Sequence, residues 1–225
     1  SMNVLTGRFV TGSWVLGLKP HHRLQSFFIN YQQSPNLKDE YFAALSFQPI
    51  ERLAMNATPT TNLSFIKMLP RLETLHLTGF RGRTNELSLA NCPNLSIIDL
   101  KDGIVDRQVL YAIGQTPMTH TVRVHDVHVD GGVVNGLRFA NGLQHLELIG
   151  SYPNENIYEL LKFLPALKSF KTSVPPTMPD IQSVFTTSAL RNLIITNPTE
   201  LNSTQIRLLL DERPDLTFSA ILKST

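Results

Sequence analysis

Residues 69 to 80 read LPRLETLHLTGF, in which Leu72, Leu75 and Leu77 are spaced three and then two apart. Side chains alternate faces along a strand, so Leu75 and Leu77 share one face and Leu72 lies outside that alternation. The same L-x-x-L-x-L spacing, with Ile, Val, Met, Phe or Thr admitted, recurs along the chain. Its matches are Leu24/Phe27/Ile29, Ile50/Leu53/Met55, Leu72/Leu75/Leu77, Leu95/Ile98/Leu100, Thr119/Val122/Val124, Leu143/Leu146/Leu148, Leu167/Phe170/Thr172, Leu190/Leu193/Ile195 and, more loosely, Leu216/Ser219/Ile221. Successive starts differ by 26, 22, 23, 24, 24, 24, 23 and 26 residues. A spacing held so evenly marks one supersecondary unit stacked many times.

Proline keeps the same beat. It stands two residues before the start at Pro70, Pro93, Pro117, Pro165 and Pro214, where it ends the preceding segment, because the residue before proline is driven out of the helical region. Repeat two departs, with Pro49 directly before Ile50. Between strands the spacing turns helical. Asp106 caps a segment burying Val109, Leu110 and Ile113; Asn154 caps one burying Ile157, Leu160, Leu161 and Leu164; Ser203 caps one burying Ile206, Leu209 and Leu210. The link from Arg81 to Ala90 reads as a short irregular turn, and the glycines of GGVVNG, Gly131 to Gly136, as a turn after the fifth strand.

None of these helices is long enough to be stable alone. Each strand-plus-helix unit therefore closes its apolar face only against its neighbours. The expected fold is an α/β solenoid, a curved parallel sheet of about nine strands with short helices or turns on the convex side. Residues 1–225 are expected to form a single domain of this kind. Residues 1–22 are its N-terminal cap, where Phe9, Val10, Trp14, Val15 and Leu18 cover the first repeat, and 23–225 are its repeats. The register of LTFSAIL, 216 to 222, is ambiguous, because a one-residue slip swaps its faces.

On these residues, from Leu24 to Ile221, the chain resembles the leucine-rich repeat family. Within it CPNLSIIDLKDGIVDRQVLYAIGQTP, Cys92 to Pro117, is similar to the cysteine-containing repeat of substrate-binding subunits in F-box ubiquitin ligases. In that subtype a Cys-Pro-x-Leu opening precedes a strand, a polar turn, an acidic helix start and a short helix. The resemblance implies a substrate-recognition adaptor. Eight residues after each first leucine, where the family carries Asn or Cys, this chain has Gln32, Thr58, Phe80, Gly103, Val127, Ser151, Pro175 and Pro198.

Composition narrows the function classes. Charged residues are 17% and the formal net charge is +2, with both signs spread along the chain, so no basic footprint for nucleic acid or an anionic membrane is present. The longest apolar stretch, Ile157 to Leu167, is broken by Glu159, Lys162 and Pro165, too short and too charged to span a bilayer. One cysteine, Cys92, cannot form an internal disulfide, which points to a reducing compartment, cytoplasmic or nuclear.

Function must then lie between the leucines. If the second and third pattern residues point inward, positions two, four and six after each start face the open, concave side of the sheet. The middle position runs Phe28, Ala54, His76, Asp99, Arg123, Glu147, Lys171, Ile194 and, in the register above, Ala220, alternating in charge at its centre. The candidate partner-binding residues are Phe28, Arg52, His76, Asp99, Lys101, Arg123, His125, His145, Glu147 and Lys171. The opposite charges also read as a cross-strand ladder that neutralises itself. Phe28, Tyr31 and Phe80 are candidate aromatic anchors, although Phe80 sits where an apolar residue commonly closes a repeat from above.

THTVRVHDVHVDGG crowds His120, His125, Asp126, His128 and Asp130, but strand alternation sends His125 and Asp126 to opposite faces and His128 into a loop, so no metal site is expected. Cys92 reads as a small buried hydrophobe, and no phosphate-binding loop, nucleophile elbow or dinucleotide fingerprint is found, so no catalytic residue, cofactor or small-molecule substrate is expected. The expected function is a non-catalytic scaffold for a protein or peptide partner. The second expectation is a structural subunit or fragment of a larger cytoskeletal or organelle-associated assembly.

Overall fold

The computed structural model describes residues 4–7, 24–30, 44–56, 63–82, 89–105, 107–129, 132–150, 156–196 and 203–221. All nine expected strands are present and pair in parallel. They are β2 Ser26–Asn30, β3 Arg52–Asn56, β4 Thr74–Thr78, β6 Ile97–Lys101, β8 Thr121–His125, β10 His145–Ile149, β11 Ser169–Thr172, β12 Asn192–Ile195 and β13 Thr217–Ala220. A tenth, β1 Val4–Gly7, joins the edge with Leu5 opposite Phe27, so part of the expected cap is itself a strand of the sheet. The cap residues Phe9, Val10, Trp14, Val15 and Leu18 lie outside the described residues.

The inward row forms the core. Leu75, Ile98, Val122, Leu146 and, beyond Phe170, Leu193 lie in one row across the sheet, and none is more than 1% exposed. Burying a side chain of this kind stabilises the fold by about 1.5–3 kcal/mol. The prolines act within one recurring turn. The start residue's N–H bonds to the carbonyl three residues back, as in Leu72 to Leu69, Leu95 to Cys92, Thr119 to Thr116, Leu167 to Leu164 and Leu216 to Arg213. Proline is the second residue of each of these turns, where its fixed φ fits and its missing N–H is not needed.

The first residue of that turn is buried in each of these repeats, and in two of them, as in the proline-free turn from Thr187 to Leu190, its side chain ties the repeat to the one before. Cys92 Sγ donates to the Ile66 carbonyl at 3.3 Å, Thr187 Oγ1 to Leu161 at 3.2 Å and Arg213 Nη1 to Val184 at 3.0 Å. Burial pushes the Cys92 thiol up to about 11, so it stays a protonated core group. Arg213 also donates to the Thr187 and Leu190 carbonyls and pairs with Asp215.

On the other side of the core lie α1 Arg107–Gly114, α2 Val133–Leu137, α3 Met178–Thr186 and α4 Ser203–Glu212, with 3-10 turns at Ala44–Phe47, Ser64–Met68 and Ile157–Lys162. Helix α1 buries Val109, Leu110 and Ile113 as expected; its cap position, Asp106, lies outside the described residues. Ile157, Leu160, Leu161 and Leu164 are buried, but the first three lie on a 3-10 helix whose cap is Asn156 and Leu164 lies just beyond it, with Asn154 outside the described residues. Gly136 is helical rather than part of a turn: it lies in α2 against Leu110, and a Cβ there would stand 2.5 Å from the Leu110 Cβ.

Two expectations are corrected. Helix α4 buries Gln205 and Leu209, leaving Ile206 half-buried and Leu210 49% exposed, because the run Leu208, Leu209, Leu210 does not fix a helical phase. In β13 the inward residue is Phe218, opposite Leu193, and Ser219 takes the outward place opposite Ile194. Leu216 keeps its turn bond, but the strand starts one residue sooner after it than in the other repeats, which moves Phe218 and Ala220 off the concave face. Leu222 lies outside the described residues. A feature absent from the periodicity is a second, three-stranded parallel sheet of β5 Arg81–Gly82, β7 Ile104–Val105 and β9 His128–Val129, just beyond the main strands.

Candidate partner-binding face

The parallel register aligns three outward rows across the sheet. The middle row runs Phe28, Ala54, His76, Asp99, Arg123, Glu147, Lys171, Ile194 and Ser219. All ten candidate residues stand on this face, on β2, β3, β4, β6, β8, β10 and β11. Each is exposed or half-buried. Phe28 is 38% exposed, whereas Phe80 is 2% exposed and packs over the core. Tyr31 lies outside the described residues.

Six of the ten are brought into contact. Glu147 is the hub: its Oε1 accepts from Arg123 Nε at 3.1 Å, and its Oε2 contacts His125 Nε2 at 2.9 Å and accepts from Lys171 Nζ at 3.1 Å. His76 Nδ1 lies 3.2 Å from Asp99 Oδ2. The ladder is thus not a simple alternation, since Asp99 turns back to His76 on β4 while Arg123 reaches forward to Glu147 on β10. Lys101 is 4.0 Å from Asp102, and Phe28, Arg52 and His145 stand apart from the Glu147 hub.

Burial alone would raise the Glu147 carboxyl, but Lys171, His125 and Arg123 together outweigh it and hold its pKa below the usual value. Asp99 behaves alike, burial raising it and His76, His125 and Arg123 lowering it further. Burial and the nearby His120, Lys168 and Arg123 keep His145 below its usual value, Glu147 opposing them. The result is a half-exposed network in which both carboxylates are held ionised.

The convergence of three side chains on Glu147 was not visible from the strand pattern read row by row. Its signal was the diagonal: Glu147 lies opposite Arg123, and His125 two residues further along the same strand comes within reach. The histidines of the HDVH stretch separate, His125 onto Glu147 and His128 into β9, and His120 Nδ1 lies 2.9 Å from Thr121 Oγ1.

No protein-family model and no curated protein sequence matches the chain. Solved structures do. An internalin (inlF) from Listeria monocytogenes superposes with a TM-score of 0.54 at 11% identity, over 87% of this chain and 67% of that one. Internalin C2 (inlC2) from the same organism gives 0.51 at 13% identity, over 80% and 83%. TLR13, solved as a complex with ssRNA13, gives 0.61 at 11% identity over 92% of this chain, which spans only 34% of the TLR13 chain. Identities this low speak to architecture alone. With its repeat period, its continuous parallel ladder and these neighbours, the chain has the fold of a leucine-rich-repeat solenoid.

Proposed function

We propose that the chain is a non-catalytic scaffold that binds a protein partner through the concave sheet face and adjoining loops, in a reducing, intracellular compartment. The observation that carries this reading is the Glu147 network. Four charged or ionisable side chains are held in fixed geometry on an open surface, where holding them adds little to stability but presents oriented donors to a partner. Phe28 supplies an exposed aromatic at one end of the same row. Cys92, buried in the core with its S–H on a carbonyl, supports a compartment in which thiols stay reduced. The substrate-adaptor version of this function rests on the repeat from Cys92 to Pro117.

The test is differential recovery of partners from the native source by the wild-type chain, Arg123→Glu, Phe28→Ala and the helical-face variant Lys162→Glu. Proteins retained by wild type and Lys162→Glu but lost with Arg123→Glu are the expected result. Loss with Lys162→Glu alone would move the site to the helical face.

A second reading, a structural part of a larger assembly, is favoured by β13. The inward residues of the neighbouring strand, Leu193 and Ile195, are 0% exposed, whereas Phe218 is half-buried and Ala220 exposed, so β13 can accept a further strand. Native mass spectrometry of complexes recovered with Phe218→Asp, against wild type, tests it.

A further inference from the structure

The concave face has more donors than acceptors. Its cations are Arg52, Lys101, Arg123 and Lys171; its carboxylates are Asp99 and Glu147. Both carboxylates are already engaged, Asp99 by His76 and Glu147 by Arg123, His125 and Lys171. Arg123 and Lys171 are only partly used. Arg123 uses only Nε on Glu147, so among the described residues its terminal nitrogens keep their donors, while the bond to Glu147 fixes the plane in which they point. Lys171 commits one N–H of three to Glu147. Anything that docks here must therefore bring acceptors.

We propose that the partner presents an acidic, extended peptide segment that crosses the strands along the middle row, with carboxylates on Arg123 and Lys171. This rests on the concave-face reading and names its ligand. The spacing follows from the sheet. β8 and β11 are two strands apart, about 10 Å at the usual interstrand distance, and a chain in the extended polyproline II form advances about 3.1 Å per residue with about three residues per turn, so two acidic residues three positions apart span that distance on one face. The rim sets the track. Asp102 and Asp126, both in left-handed turns with φ 51°, stand one residue past Lys101 and His125 and repel an acidic chain from that edge. Phosphates are acceptors too, but single-stranded nucleic acid also needs aromatic platforms, and the row from Asp99 through Lys171 to Ile194 carries none.

The experiment selects random dodecapeptides on phage against the full chain. Fluorescence anisotropy then follows the enriched peptides, and a labelled oligouridylate, on wild type, Arg123→Glu, Lys171→Gln and Lys162→Glu, each checked for folding by circular dichroism. Enriched peptides should carry Asp or Glu three apart and bind about tenfold or more weakly to Arg123→Glu, less weakly to Lys171→Gln and unchanged to Lys162→Glu. If Arg123→Glu fails to fold, Lys171→Gln carries the comparison. Enriched peptides without acidic bias that still lose Arg123→Glu would overturn the acidic ligand and leave the concave-face reading standing. Peptides that bind every variant equally would overturn both. A selection that enriches nothing overturns the acidic ligand, and oligouridylate binding that outcompetes the peptides and is lost with Arg123→Glu would reassign the face to nucleic acid.

Discussion

Glu147 collects Arg123, His125 and Lys171 on one carboxylate, and the sign of its effect on stability follows from its pKa. The folded value lies below the ordinary 4.5, so its stabilisation is fully present above that pH and is lost as the pH falls through the folded value. Glu147→Gln should melt lower than wild type at pH 7, and the gap should narrow as the pH drops below 4.5. Thermal melts from pH 7 to pH 3 measure this; a constant gap would show that the charge of Glu147 is not what matters. Arg213 presents a different case, a nearly buried guanidinium that donates to the carbonyls of Val184, Thr187 and Leu190. Arg213→Ala removes a charge-assisted bond from each of those carbonyls, which keep as donors the N–H of Thr187, the N–H of Leu190 and Arg191 Nη1, and should cost about 1–3 kcal/mol in urea unfolding. Arg213→Lys should recover little of it, because an ammonium cannot span three carbonyls with a planar fork.

At the scale of elements, what could be read beforehand divides by the strength of periodicity. Nine strands share a spacing that recurs eight times, so the inward rows of the first eight and the outward placement of all ten candidate residues followed from alternation alone. The elements that escaped carry too few residues to show a period. β5, β7 and β9 have two residues each, and the tenth strand, Val4–Gly7, has no L-x-x-L-x-L match. β13 was misaligned because Leu216 keeps its turn while the link to the strand loses a residue, a change invisible until hydrogen bonds are traced. In the candidate site the row of alternating charge was legible, but the choice of His76 by Asp99, and the meeting of His125 with Glu147, depend on rotamers that no spacing encodes. The short second sheet carries its own prediction. A Cβ on Gly103 would stand 2.2 Å from the Phe80 carbonyl oxygen, the same atom that accepts from Ile104 N–H. Gly103→Ala should push β5 and β7 apart, cost about 1–3 kcal/mol as overpacking does, and speed amide exchange at Ile104 more than at Leu100.

Across the whole molecule, a solenoid distributes its stability along the stack, each repeat closed by its two neighbours. The position of a core residue in the array should then matter as much as its identity. Leu146 has Val122 on one side and Phe170 on the other, all of them fully buried, and Leu146→Ala should cost about 2–5 kcal/mol because the cavity it leaves cannot collapse. Phe218 occupies the same inward row but is only half-buried, with Leu193 on one side and, among the described residues, no further strand of the main sheet on the other. Although phenylalanine is the larger side chain, Phe218→Ala should cost less than Leu146→Ala, since part of its surface already meets water and the last repeat can relax. The two variants should also differ in how they unfold. Damage at the centre splits the stack into two shorter arrays and should broaden the urea transition, whereas damage at β13 should leave the main transition sharp and raise amide exchange only from α4 onward. Urea melts with residue-resolved hydrogen exchange decide this. Equal costs for both variants, with one sharp transition in each, would mean that the repeats unfold as a single cooperative unit.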